Sequence, residues 1–241
     1  MTQLHFIGGE KGGVGKSVMA RVLAQYHVDR GIPFTGFDTD RSHGTFSRFY
    51  GEFAYPAVVD QYESLDKIIE AASAEPERQI LVDLAAQTFP FLHRWIDDCA
   101  LFELLGELGF SATFWHIMDD GKDSIQLLGK LLDRYGDHAS CVIVENFGRG
   151  SDFSDAEKSE PFQRAKTLGT PVIQLSKLHD GAMHKIDMID ASFWAATHNK
   201  DLLSLPDRMR VKVWLSRAYD QLEKILPLLV TKTEQVVVEV D

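Results

Sequence analysis

Gly9-Glu10-Lys11-Gly12-Gly13-Val14-Gly15-Lys16-Ser17 is the stretch on which the reading of the whole chain turns. Before it runs Leu4-His5-Phe6-Ile7, an apolar segment of the buried-strand type. After it Val18, Val22 and Tyr26, with Ala20, Leu23 and Ala24, recur at helical spacing. Strand, glycine-rich loop and helix therefore follow in that order. Glycines let such a loop turn tightly and gather backbone N–H groups around one point, where the helix N-terminus adds free donors and the positive end of its dipole. The stretch predicts a phosphate site built from Gly12, Gly13, Val14, Gly15, Lys16, Ser17 and Val18. Lys16 is placed to reach β- and γ-phosphates, and the Ser17 hydroxyl to ligate a Mg²⁺ bridging them.

Working outward, Phe34-Thr35-Gly36-Phe37 reads as a second strand that runs into Asp38-Thr39-Asp40. Gln79-Ile80-Leu81-Val82 reads as another, following a turn at Glu75-Pro76-Glu77 and delivering Asp83. Carboxylates at the C-terminal ends of parallel strands face the ligand crevice. Asp83 is thereby predicted beside the metal, acting through a bound water. For Asp40 the alternative is a strand-end turn that caps a helix starting near Ser42. Further strands are expected near residues 113, 142 and 172, with helices at 64–72, 91–96, 101–105, 122–135 and 183–196, and a long one from Met209 toward Pro227. The segment from Ser151 to Glu160 reads as a solvated loop and the tail from Val236 as extended. The run Phe46, Phe49, Tyr50, Phe53 and Tyr55 reads as packing more than as a partner surface. The fold class predicted is α/β: one domain, 1–241, with a doubly wound, mostly parallel sheet covered by helices on both faces.

The ordinary phosphate-loop pattern has a glycine where this chain has Glu10. With Lys11 before the paired glycines, the motif Lys-Gly-Gly-x-Gly-Lys-Ser resembles the deviant Walker A loop of the ParA/MinD family of P-loop ATPases. That resemblance implies ATP and Mg²⁺ as ligands, with Lys11, Lys16 and Asp40 as catalytic residues and Ser17, Asp40 and Asp83 around the metal. It implies a homodimer with nucleotide sandwiched at the interface, Lys11 crossing to the partner's phosphates. Asn146, at the end of the strand Cys141-Val142-Ile143-Val144, matches a position that reads the adenine base in the family; a plain turn with Gly148 and Gly150 is the alternative. Ser176-Lys177-Leu178-His179 lies where the last base-contacting loop of the family falls. Two regions depart from the family. Arg41-Ser42-His43 replaces a Pro-Gln-Gly continuation, and Ala85 and Gln87 stand in place of a proline and a glycine. Phe37-Asp38-Thr39-Asp40 and the weakly marked C-terminal half look most like the conjugation and mobilisation ATPases of the TraL and MobD type. The function implied is a slow ATPase that dimerises with MgATP and positions a cargo through an unidentified protein partner or adaptor. A non-hydrolysing nucleotide-dependent binding module and a metabolic phosphotransferase or ligase are the competing readings.

Composition narrows the setting. With 44% apolar and 25% charged residues the chain is an ordinary globular one. Cys99 and Cys141, far apart and outside any CxxC or Cys/His pattern, indicate neither a disulfide framework nor zinc. Met1 leads within three residues into the first strand and no apolar stretch reaches spanning length, so a cytoplasmic protein without membrane contact is expected. The formal net charge of −11 weighs against DNA, for which the cluster Arg208, Arg210, Lys212 and Arg217 is the feature in favour.

Overall fold

The computed structural model describes residues 1–75 and 77–238, the side chains of residues 230–238 excepted. In chain order its elements are β1 (Gln3–Gly8), α1 (Lys16–Arg30), β2 (Phe34–Asp38), α2 (Thr45–Phe49), β3 (Ala54–Pro56), α3 (Tyr62–Ala74), β4 (Gln79–Asp83), α4 (Phe89–Asp98), α5 (Leu101–Glu107), β5 (Ser111–Met118), α6 (Lys122–Tyr135), β6 (Ser140–Asn146), α7 (Ser154–Lys158), α8 (Glu160–Thr167), β7 (Val172–Leu175), α9 (Asp180–Met188), α10 (Phe193–His198) and α11 (Leu205–Val238). The strands form one seven-stranded sheet in the order β3-β2-β4-β1-β5-β6-β7. Every pairing is parallel, and the doubly wound α/β architecture is the one the sequence predicts.

Strand order places the site. From β1 the chain crosses to β2, β3 and β4 on one side, then to β5, β6 and β7 on the other, so the order reverses at β1. In open α/β sheets the crevice outside the carboxyl ends of the strands at such a reversal is the binding site. Register brings the relevant ends level: Ile7 pairs with Asp83, and Asp83 with Asp38. Alternation along the strands feeds two cores. Leu4, Phe6, Ile80 and Val82 pack beneath α3 to α6 and α8, whereas Ile7, Leu81 and Trp115 pack beneath α1, α2 and α9 to α11. Helix α1 has no single apolar stripe because nearly all its length is enclosed; every residue from Met19 to His27 is buried. Its end is set by Gly31 (φ 63°), with Ile32 N–H donating to His27 O at 2.9 Å.

The structure differs from expectation where local pattern is weakest. The edge strand is Ala54–Pro56, just before Val58-Val59, which alone in this region reads as a short strand-like piece; three residues are too few to show a period. Phe46, Phe49 and Tyr50 are core residues, while Phe53 and Tyr55 are exposed. The acidic segment carries the short α7. The helix expected over 183–196 is two helices, separated where Asp190 takes a left-handed backbone (φ 49°) and Ser192 caps α10 by accepting Ala195 N–H at 3.1 Å. The last helix starts at Leu205, earlier than Met209, with Ser204 Oγ accepting Asp207 N–H at 3.3 Å. It runs through Pro227, since Ile225 and Leu229 are buried on either side and hold its axis across the missing backbone bond. The tail expected to be extended is helical as far as Val238; Glu239, Val240 and Asp241, like Pro76 of the predicted turn, lie outside the described residues.

Candidate functional site

The loop between β1 and α1 has the backbone its glycines permit. Gly9, Gly13 and Gly15 all have positive φ, and Gly15 (φ 100°) immediately precedes the first residue of α1. A Cβ on Gly15 would stand 2.2 Å from Asn146 Nδ2, so glycine is required there by both conformation and space. Asn146 is buried under the loop: Nδ2 donates to Val14 O at 2.7 Å and Oδ1 accepts Gly148 N–H at 2.9 Å. The end of β6 thus holds the phosphate loop in place. The Ser176–His179 loop is fixed from behind by Trp214 Nε1, which donates to Ser176 O at 2.5 Å, and by the Lys177–Asp180 ion pair at 2.9 Å.

Lys16 is 8% exposed and bends back to donate to Lys11 O at 2.8 Å. Burial lowers its pKa, with Asp83 and Asp40 pulling the other way. Lys11 points elsewhere. Its ammonium meets Asp119 at the end of β5, at 2.8 Å to Oδ2 and 3.0 Å to Oδ1, with both side chains mostly covered. Asp119 also accepts Ser124 Oγ at 2.6 Å and Gly121 N–H at 3.1 Å. Burial raises its pKa, but these bonds, led by that from Lys11, outweigh it and hold the carboxyl below the usual range.

Of the three carboxylates, Asp83 is the one left with unmet demand. It is 2% exposed and neither oxygen has a hydrogen-bond partner, although the Ser17 hydroxyl lies close enough to lower its pKa. Burial pushes that pKa up to about 7, with Asp38 and Asp40 adding to the rise and Lys16 opposing it. An orphaned, buried carboxylate beside a serine hydroxyl fits a hydrated divalent cation, and Ser17, Asp40 and Asp83 are the residues that would hold Mg²⁺ and its water. Asp38 and Asp40 differ in their work. Asp38 is buried and caps α2, its Oδ2 accepting Ser47 N–H at 2.8 Å. Asp40 uses Oδ1 to accept Ser42 and His43 N–H at 2.9 and 3.1 Å, so it makes the strand-end turn and also faces the cleft. His43 is exposed on that turn.

These groups converge on a cleft of about 420 Å³ lined by the loop, Asp40, Asp83 and Ala85. The same cleft is lined by Arg21, Arg48, Arg149 and Asp187, which sequence pattern did not single out. Arg21 pairs with Asp187 and Arg48 with Asp190, both at 2.9 Å. Sequence carried no signal for these pairs, since their members are over a hundred residues apart. Thr39 is the other residue missed: its hydroxyl donates to Asp83 O at 3.0 Å and accepts Ala85 N–H at 2.8 Å, joining the loops after β2 and β4. Gln87 occupies a left-handed conformation (φ 63°), which accounts for a glycine there in the resembled family. Its side chain is exposed, so Gln87→Gly is expected to leave stability unchanged or raise it by about 1 kcal/mol in urea unfolding.

The glycine loop, the strand reversal and the paired strand-end carboxylates give the chain the fold and loop layout of P-loop proteins, an architecture shared with a solved ParA family ATPase. Two relatives by sequence carry the names TraL and MobD. Protein TraL of Escherichia coli is 23% identical over 238 residues, covering 92% of this chain and 98% of TraL. Protein MobD of Acidithiobacillus ferrooxidans is 23% identical over 167 residues, covering 68% of this chain and 70% of MobD. Among solved structures, a ParA family ATPase from Chlorobium tepidum superposes with a TM-score of 0.51 at 13% identity, over 89% of this chain and 97% of that one. A nucleotide-binding protein from Archaeoglobus fulgidus in complex with ADP also gives 0.51 at 13%, over 84% and 90%. No family model matches the chain. Among the described residues no helix is long and apolar enough to cross a membrane.

Proposed function

We propose that the chain is an ATP-dependent switch: MgATP brings two copies face to face, each Lys11 completing the other's site, and slow hydrolysis separates them. Lys16 and the loop amides hold the triphosphate, Ser17 and Asp83 hold Mg²⁺, and Asp40 positions the attacking water. Asn146 supports the loop from beneath. When bound, the cation held by Ser17 and Asp83 would supply charge neutralisation to the phosphates. The observation that carries the reading is the position of Lys11. Its backbone carbonyl anchors Lys16, while its own ammonium lies outside the cleft, paired with Asp119. A lysine so placed adds nothing to its own nucleotide and becomes useful when a second triphosphate faces it. Two lysines of different chains then neutralise one polyphosphate, so association depends on nucleotide. Support for a cargo linked to plasmid mobilisation comes from the TraL and MobD relatives, and the dimer is proposed to deliver it through a protein adaptor.

Molar mass in solution tests this. The wild type is expected to double its mass with MgATP, Asp40→Ala to stay doubled with unhydrolysed ATP, and Lys11→Ala to remain single while still binding nucleotide. A mass indifferent to MgATP in all three would overturn the switch.

A further inference from the structure

One turn along α1 from Ser17, Arg21 stands in the wall of the cleft and is 1% exposed. Its surroundings do not balance its charge. Nη1 donates to Asp187 Oδ1 at 2.9 Å, a single-point contact with a carboxylate whose own side chain is 48% exposed. Nε and Nη2 have no hydrogen-bond partner. The guanidinium carbon lies 3.6 Å from the ring centroid of Phe49 on α2 and 4.8 Å from that of Phe193 on α10. Rings cover its faces, then, while its edge keeps unmet donors. Burial lowers its pKa and Asp187 opposes the fall. A buried arginine satisfied at one nitrogen only is a poor structural element, because a charge taken from water needs its hydrogen-bonding sites filled.

The free edge has a specific complement. A planar fork of N–H donors matches an oxyanion in geometry and charge. Four residues beyond Ser17 correspond to about 6 Å along the helix axis. That displacement sets Arg21 beyond the helix N-terminus, where the loop gathers phosphates, and in the wall of the same cleft. The inference rests on reading the cleft as the nucleotide site, and it names a residue there that the loop motif does not contain.

We propose that Arg21 is a further nucleotide-binding residue, its Nε–H and Nη2–H groups donating to α-phosphate oxygens while Asp187 holds the guanidinium in place without ligand. The contact also links the nucleotide to two neighbours in the cleft wall: α2, through Phe49, and the end of α9, through Asp187.

Calorimetric titration of the full chain with ATP and ADP, alongside thermal melts without nucleotide, separates binding from support. Arg21→Met is expected to weaken ATP and ADP alike by about tenfold to a hundredfold, with a melting temperature equal to or above that of the wild type, because a poorly satisfied buried charge has become an apolar side chain of similar length. Asp187→Asn is expected to behave in the opposite sense: a lower melting temperature, since Arg21 loses its carboxylate partner, and equal or tighter nucleotide binding, since a negative charge leaves the cleft. The loss in Arg21→Met is expected to be the same with 2′,3′-dideoxy-ATP. If it vanishes there, the contact is to ribose and the phosphate assignment is overturned. Unchanged affinity with a lowered melting temperature would make Arg21 structural and overturn the proposal. If the wild type binds no nucleotide, the reading of the cleft itself fails; if the wild type binds and Arg21→Met binds equally, only the role of Arg21 fails.

Discussion

Replacing Lys16 by methionine is expected to weaken nucleotide binding by about two orders of magnitude or more while leaving the fold in place. The ammonium is nearly out of water, and its hydrogen bond is to the carbonyl of Lys11 in its own loop. Of its three donors, that bond uses one. The others lie in a cleft with Asp40 and Asp83, where an incoming polyphosphate competes with two carboxylates for the same cation. In a partly desolvated site a charge-assisted bond of this kind contributes about 3 kcal/mol, or roughly a hundredfold in affinity. Stability changes less, because two effects oppose each other. Removing a desolvated ammonium relieves a cost, but Asp83 then keeps its burial without the nearest cation. Titration calorimetry gives the affinity and a thermal melt gives the stability. Wild-type affinity in Lys16→Met would refute the assignment of the loop as the phosphate site.

Folding stability is expected to depend on pH in a way set by four buried groups. His5, His27 and His116 are enclosed, each with a ring nitrogen bonded to a neutral partner. His5 Nδ1 accepts Trp115 Nε1–H at 3.1 Å, His27 Nδ1–H donates to Leu23 O at 2.6 Å, and His116 Nε2–H donates to Ser124 O at 2.9 Å. Burial first of all pushes their pKa values down to about 3, 4 and 4. The unfolded chain titrates these rings near pH 6.5 and takes up protons that the folded chain refuses, so their contribution is full above that pH and is lost as pH falls toward 4. Asp83 acts in the reverse direction. Its folded pKa of about 7 lies above the unfolded value of 3.8, so its charge destabilises the fold above pH 7 and the penalty lifts as pH falls. Between pH 4.5 and 6 the balance from these four groups is about two protons taken up on unfolding, three from the rings less one from the carboxyl. Stability rises with pH across that interval, more gently between 6 and 7.5, and levels off above about pH 7.5, where the rings and Asp83 have all finished titrating. Asp83→Asn is expected to raise the plateau above pH 7 by about 2 kcal/mol and to steepen the acid limb from about two protons to three. Urea unfolding at a series of pH values measures both. An acid limb unchanged by Asp83→Asn would show that this carboxyl is ionised in the folded protein throughout.

Most of the fold was legible because its signals are local. The helix at 122–135 matches α6 end for end, and the apolar runs before Asp83 and Asn146 match β4 and β6. Buried parallel strands are continuous apolar runs, and helices between them carry apolar faces, so neighbours in sequence suffice to reveal them. Boundaries failed where the deciding contact is distant. The break between α9 and α10 had one local cue, the capping serine Ser192. In the fold, Arg21 and Arg48, from elements more than a hundred residues earlier, pair with Asp187 and Asp190 at that break. The continuation of α11 past Pro227 likewise depends on Ile225 and Leu229 finding the core.

The sequence by itself determined the strand-loop-helix unit, the winding class of the sheet, and the carboxylates at the ends of β2 and β4, since each follows from residue types within a few positions of one another. Only the tertiary structure decided what surrounds them. It turned Lys11 onto Asp119, put Asn146 beneath Val14, left both oxygens of Asp83 unpartnered and drew Arg21 into the cleft. These are facts about charge and solvation, which depend on whichever groups the fold happens to bring within a few ångströms, and spacing along the chain does not encode that.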